Sequence, residues 1–116
     1  MKQPKDDQAD SIYSYEDIVK VFDALSHPAR VKIMGILYQK KHYVSELARI
    51  MNISRPLLYM HLQKLESSRL IQGNHEISTD GKAMKYYEVL PFELKVTPAT
   101  LFAISESIPI RKEEQK

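Results

Sequence analysis

The sequence predicts a mostly α-helical domain with one small β-hairpin, and three observations predict it. Val44 to Glu66, VSELARIMNISRPLLYMHLQKLE, reads as two short helices joined by a tight turn. Asp80-Gly81 separates two strand-like runs. Apolar stripes at helical spacing stand before and after these features. With 116 residues the chain suits one domain with a modest core, small enough that a second copy would bury useful further surface.

Residues 1–11 are polar and aperiodic, so a tail is expected there. From Ser14 onward, Tyr15, Ile18, Val19, Phe22 and Leu25 form one apolar stripe, with Ser14 as cap and Glu16 and Asp17 at the positive helix start. This predicts a first helix over about 15–25. Ser26-His27-Pro28 stops and restarts the chain, because proline fits a first turn but not a helix interior. His27 is therefore read as a helix-start residue. In the second helix Val31, Ile33, Met34, Ile36, Leu37 and Tyr38 cover much of the circumference, so it is expected to be the most enclosed, with Arg30 in a structural ion pair.

Ser45 is read as the cap of the next helix, whose apolar residues are Leu47, Ala48, Ile50 and Met51. Asn52 can end it in the left-handed conformation, and Ser54 caps a further helix in which Leu58, Leu62 and Leu65 repeat at i, i+4 and i+7. That is helix-turn-helix grammar. Placing the three leucines on the core turns Pro56, Tyr59, Met60, Gln63 and Lys64 outward, with His61 as a flank.

Residues 70–77 and 82–90 flank Ser78-Thr79-Asp80-Gly81, predicting a wing over about 70–90 in which Asp80 and Gly81 can both take positive φ. Tyr87 and Val89 share one face, and Tyr86, Glu88 and Leu90 the other. Lys82, Lys85 and His75 are placed to straddle a phosphate backbone. Phe92, Leu94 and Val96 alternate as a short strand would, and Thr97-Pro98 opens a last helix carrying Leu101, Phe102, Ile104 and Ile108, limited by Pro109. Residues 110–116 read as a charged tail. The order of elements is that of a winged helix-turn-helix domain over 12–109 with a helix added at each end. The two outer stripes exceed what a three-helix core absorbs, so helices over about 15–25 and 98–108 are expected to form the interface of a two-fold homodimer.

Charge narrows the partner. Residues 1–27 carry a net −3, residues 28–91 a net +5 and residues 92–116 a net of zero, so the excess of positive charge accompanies the helix pair and the wing. A basic middle favours a polyanion, here double-stranded DNA with a pseudo-palindromic operator. Absence of cysteine excludes disulfides, cysteine nucleophiles and thiolate metal sites. No apolar run approaches a membrane span and the first ten residues lack a signal-peptide core, so a cytoplasmic protein without membrane contact is expected. Gly35, Gly73 and Gly81 stand alone, and no carboxylate and histidine pair shares a face, which argues against an enzyme. No cofactor is expected. His27, His42, His61 and His75 lack the i, i+3 or i, i+4 spacing of metal ligands, so no metal site is expected either.

FDALSHPARVKIMGIL, the helix pair, SRLI and DGKAMKYYEV together resemble the ArsR family of winged-helix transcriptional regulators, from about Phe22 to Val89. The resemblance implies a homodimeric repressor released by a ligand, with the first and last helices as the dimer interface. It makes the segment Ile53 to Leu65, whose helix is placed here at 55–66, the recognition helix, and turns Arg55, Pro56, Tyr59 and Met60 toward bases or phosphates. Metal-sensing members carry a cysteine pair around the position of Val44 to Leu47, or His and carboxylate ligands on the last helix. This chain has Tyr43-Val44-Ser45-Glu46-Leu47 there, and only Glu106 as a carboxylate in its last helix.

The residues suggest individual roles on DNA. Arg55 suits guanine O6 and N7 or a phosphate in fork geometry, Tyr59 a phosphate or a thymine methyl, and Gln63 an adenine. Pro56 and Met60 offer apolar contacts only, which leaves more of the affinity to shape and phosphates. Lys64, Lys82 and Lys85 are phosphate candidates, and Arg49 is exposed or phosphate-contacting. The competing reading is a winged helix that binds protein, with Leu57, Tyr59 and Met60 as an apolar docking patch.

Overall fold

A computed structural model describes residues 14–111, so the tails expected over 1–11 and 110–116 lie wholly or almost wholly outside the described residues. The chain divides into two compact units, one spanning Lys20–Phe92 and one combining the residues up to Val19 with those from Glu93 onward. The boundary falls inside the first helix, α1 (Tyr15–Ala24). Ser14 caps α1 reciprocally: Asp17 N–H donates to Ser14 Oγ at 3.2 Å, and Ser14 N–H donates to Asp17 Oδ2 at 3.4 Å.

Within Lys20–Phe92 follow α2 (Pro28–Gln39), β1 (His42–Tyr43), α3 (Val44–Met51), α4 (Arg55–Ser67), β2 (Ile71–Ile77) and β3 (Ala83–Val89). Pro28 starts α2, and His27 caps it by accepting Ala29 N–H on Nδ1 at 3.1 Å. The cap of α3 differs from expectation. The helix begins at Val44 rather than after Ser45, because Glu46 Oε1 accepts the Tyr43 N–H at 3.0 Å and satisfies one of the orphan donors at that end.

Asn52 closes α3 in the left-handed region (φ 56°, ψ 47°), which brings Ile53 N–H to Ala48 O at 3.2 Å. Ser54 then caps α4 by accepting Leu57 N–H at 3.3 Å. These two short-range devices make the tight turn of the helix-turn-helix. The end of α4 repeats the first of them, with Arg69 at φ 67° and Leu70 N–H donating to Leu65 O at 3.0 Å.

The sheet has order β1-β3-β2, with β2 and β3 antiparallel in the register Ile71↔Val89 to Ile77↔Ala83. At the tip Gly81 N–H donates to Ser78 O at 2.9 Å and Ser78 N–H to Lys82 O at 2.8 Å. Gly81 alone takes positive φ (87°), and Asp80 does not. The loop is therefore a three-residue connection ending on a left-handed glycine, not a two-residue turn with two positive φ values. A third strand also joins the sheet: His42 pairs with Tyr87 and Tyr43 with Tyr86. Conversely, Phe92 to Val96 is irregular rather than a strand.

The core of this unit gathers Ile33 and Leu37 of α2, Val44, Leu47 and Ala48 of α3, and Leu58, Leu62 and Leu65 of α4 against Leu70, Ile71, Tyr87 and Ala24. Full burial of each α4 leucine contributes roughly 1.5–3 kcal/mol, which fixes the rotation of that helix. The most enclosed helix is α3 and not α2: on α3 only Arg49 and Ile50 are exposed, whereas Val31 and Tyr38 of α2 are 53% and 79% exposed. An apolar circumference exceeds what one-sided packing can cover. In the other unit Thr97 caps α5 (Pro98–Ser105), accepting Thr100 N–H at 3.1 Å, and no α5 side chain is buried.

Candidate nucleic-acid interface

Because Leu58, Leu62 and Leu65 hold one side of α4, the opposite side is uncovered: Arg55, Pro56, Tyr59, Met60 and Gln63 are all exposed. Met60, at 64%, is the most open of the large apolar residues on this helix. Among the described residues Arg55 and Gln63 make no side-chain hydrogen bond or ion pair, so their donors are available to a ligand. Arg49 and Arg55 line one shallow hollow with Ala48, Asn52, Ile53 and Ser54, at the turn between α3 and α4.

Both flanks of α4 are tied down. On one, Lys64 Nζ lies 2.8 Å from Asp23 Oδ2 of α1, and this contact holds the Asp23 carboxyl below its ordinary value. On the other, Glu66 Oε2 accepts the Gly73 N–H of β2 at 3.4 Å. Lys64, expected on a phosphate, is thus already engaged with a carboxylate while remaining half exposed.

The wing holds its lysines differently. Lys82 is exposed at the tip, where its N–H donates to Ser78 Oγ and Asp80 Oδ1. The Ser78 hydroxyl donates to Asp80 and is the main reason that carboxyl lies below its ordinary value. Lys85 is half-buried, with Nζ 5.2 Å from the centre of the Tyr87 ring. Its ammonium is held above the usual lysine value chiefly by the Tyr87 side chain, with Glu66 and Tyr59 of α4 acting in the same direction. Lys85 therefore stands between wing and recognition helix, directly across the strands from exposed His75.

Long-range contacts reveal residues that sequence reasoning missed. Tyr43 Oη donates to Glu76 Oε1 at 2.6 Å, which raises the phenol above its ordinary value. Lys41 Nζ lies 3.8 Å from Glu76 Oε2 and 4.1 Å from the centre of the Tyr86 ring. This cluster fastens β1 to the wing, and no short-range signal in HY announces it. Arg30 hydrogen-bonds differently from the expected ion pair. Its Nε donates to Ala24 O at 2.7 Å and its Nη1 lies 3.1 Å from His61 Nδ1. An Arg in an otherwise apolar helix start was the available signal, but its partner is 31 residues away. His61, expected as a flank, is buried at 6% exposure.

At the positions corresponding to the thiolate sensor site of the family, Val44 is buried and Ser45 half-buried. Among the described residues no three His, Asp or Glu side chains converge to hold a metal ion, and no helix is long and apolar enough to cross a membrane.

Comparison with known proteins agrees with this architecture. The family described as bacterial regulatory protein, arsR family, matches residues 27–72, which span α2 to the start of β2. An uncharacterized HTH-type transcriptional regulator of Methanocaldococcus jannaschii is 36% identical over 80 residues, covering 69% of this chain and 83% of that protein. Among solved structures, the homodimeric winged helix-turn-helix DNA-binding domain of a possible ArsR-family regulator from Mycobacterium bovis aligns with a TM-score of 0.60 at 23% identity, over 91% of this chain and 87% of that one. The transcriptional repressor BigR from Xylella fastidiosa aligns with a TM-score of 0.56 at 20% identity, over 77% of this chain and 80% of that one. At such identities the two structures speak to the fold, which is the winged helix-turn-helix derived above. The regulator from M. jannaschii and the match over α2 to β2 go further, and this chain belongs to the ArsR family of helix-turn-helix regulatory proteins.

Proposed function

We propose that this protein is a homodimeric, cytoplasmic, sequence-specific DNA-binding repressor that sets α4 in the major groove and the wing on the phosphate backbone. The observation that carries the reading is the uncovered side of α4, where Arg55, Pro56, Tyr59, Met60 and Gln63 are exposed while the leucines opposite them are buried. Arg55 and Gln63 serve base edges or phosphates, Tyr59 a phosphate or a thymine methyl, and Pro56 and Met60 apolar contact. Lys82 and Lys85 serve phosphates, and Lys64 does so by exchanging Asp23 for a phosphate.

The dimer reading is supported by Val19, Leu101, Phe102 and Ile108, which are all at least 40% exposed on the single chain. Two α4 helices related by a two-fold axis would read half-sites about 34 Å apart, so the operator is an imperfect palindrome. Selecting bound fragments from random DNA at physiological salt tests both parts together. A palindromic motif with that spacing is expected, and recovery of no enriched motif would sink the reading.

One observation favours a second reading. Leu57, Tyr59 and Met60 are exposed by 41%, 43% and 64%, a patch that would also suit a protein partner. Salt separates the two, since DNA affinity falls steeply with ionic strength and an apolar interface does not.

A further inference from the structure

His61 lies on the inner side of α4 among Leu58, Leu62 and Leu65, and it is the one buried histidine among the described residues. Two groups outside α4 meet its ring. Arg30 Nη1 of α2 lies 3.1 Å from Nδ1, and the His27 ring, at the cap of α2, packs edge-on with centroids 4.8 Å apart. A guanidinium has donors only, so Nδ1 is the bare nitrogen and the single ring proton sits on Nε2. The same guanidinium donates through Nε to Ala24 O at the end of α1. Arg30 thus joins three helices at one point, and α4 contributes to that junction through a lone pair.

Charged neighbours of this junction offer a proton on His61 nothing to offset it. Arg30 is cationic, His27 is a second imidazole, and the nearby carboxylate of Asp23 is committed to Lys64. Among the described residues no carboxylate hydrogen-bonds the His61 ring. Burial first, then His27, then Arg30 accordingly hold this imidazole below its ordinary value of 6.5.

We infer that the Arg30–His61 contact is a proton-operated latch: when Nδ1 takes a proton from solvent, two donors face each other, the hydrogen bond is lost, and α4 loses this tie to α2 and, through Arg30, to the end of α1, so that it opens more readily although its leucines remain packed. The depressed imidazole sets the direction. The latch is intact above about pH 6.5 and is lost progressively as the pH falls below it. One proton is involved, so the opening equilibrium of α4 grows by up to about tenfold per pH unit over that interval. The consequence for DNA rests on the function proposed above: α4 is the helix offered to the major groove, so affinity declines over the same interval.

The test uses the full chain, wild type and His61→Asn, between pH 7.5 and 5. Asparagine places Oδ1 where Nδ1 stood, accepts from Arg30 and takes up no proton. Ring resonances in NMR follow His61 directly, and hydrogen exchange of the α4 amides, corrected for the intrinsic effect of pH, follows its opening. Wild type is expected to titrate at His61 below pH 6.5 and to lose α4 protection with it, while His61→Asn stays level. A His61 that titrates at or above 6.5, wild-type protection that ignores pH, or a variant that follows wild type would each overturn the latch. Should the variant not fold, the wild-type titration and exchange decide alone. Anisotropy with a fragment from the DNA selection, or a random-sequence duplex if none is recovered, separates the two claims. If duplex affinity is nil at every pH while exchange behaves as expected, the latch is supported and the DNA reading fails.

Discussion

Lys64 Nζ and Asp23 Oδ2 meet at 2.8 Å across 41 residues of sequence, tying the flank of the recognition helix to α1. The pair is half exposed, so water screens it and its contribution to stability is small. Its larger effect is on charge. The Asp23 carboxyl is held below its ordinary 3.8 by the Lys64 hydrogen bond, so the pair stabilises the fold above that pH and is lost as the pH falls through the lower folded-state value. In Lys64→Met, carboxyl NMR is expected to show Asp23 titrating closer to 3.8.

If Lys64 exchanges Asp23 for a phosphate, Asp23→Asn frees it and removes a nearby negative charge. Tighter duplex binding at low salt is expected, and Lys64→Ala is expected to lower the salt slope of binding by about one unit. A slope that Lys64→Ala leaves unchanged would confine Lys64 to its structural contact.

Gly73 faces Tyr87 across the strands, and a Cβ at Gly73 would lie 2.9 Å from Tyr87 Cε1 and 2.8 Å from Lys85 Cε. The lysine end can move, but the Tyr87 ring is 2% exposed and fixed by the core. Gly73→Ala is expected to cost roughly 1–3 kcal/mol, read from denaturant midpoints. Gly81→Ala meets no atom and suffers only from its φ of 87°, so roughly 1 kcal/mol or somewhat more is expected there.

Lys85 leans on Tyr87 beside α4, whereas Lys82 is free at the tip. Replacing either by alanine is expected to weaken duplex binding across all sequences and flatten the salt dependence by about one unit. Arg55→Ala should instead relax preference at one base position, worth about 1–3 kcal/mol of discrimination if the contact is a guanine fork. A Lys85→Ala protein with unchanged affinity and slope would remove the wing from the interface.

Phe102 is 66% exposed and Leu101 44% on a helix with no buried side chain. In the proposed dimer these residues face the second copy. Phe102→Glu is expected to shift the protein to monomer in sedimentation equilibrium while the circular dichroism of the chain persists. A dimer that survives both Leu101→Glu and Phe102→Glu would place the interface elsewhere.

Short-range chemistry was legible in the residues. Ser14, Ser54 and Thr97 cap helices, Asn52 turns left-handed between α3 and α4, and the Leu58, Leu62, Leu65 spacing sets which side of α4 faces out. Each of these depends on residues within about two helical turns, and so do the wing strands that Asp80-Gly81 separates. Contacts between distant segments were not legible. Two residues, His42 and Tyr43, have no periodicity to announce a strand and become one only because β3 has a free edge beside them. Phe92 to Val96 alternates correctly and finds no strand to pair with. Likewise Arg30, His61, Lys64 and Asp23 read as separate polar residues until packing brings them together. Sequence by itself determined the helices, every helix cap but that of α3, and the outward side of the recognition helix, because those follow from local periodicity and backbone donors. Tertiary structure alone decided what holds that helix in place, because an ion pair or a shared lone pair depends on distances that only the folded core sets.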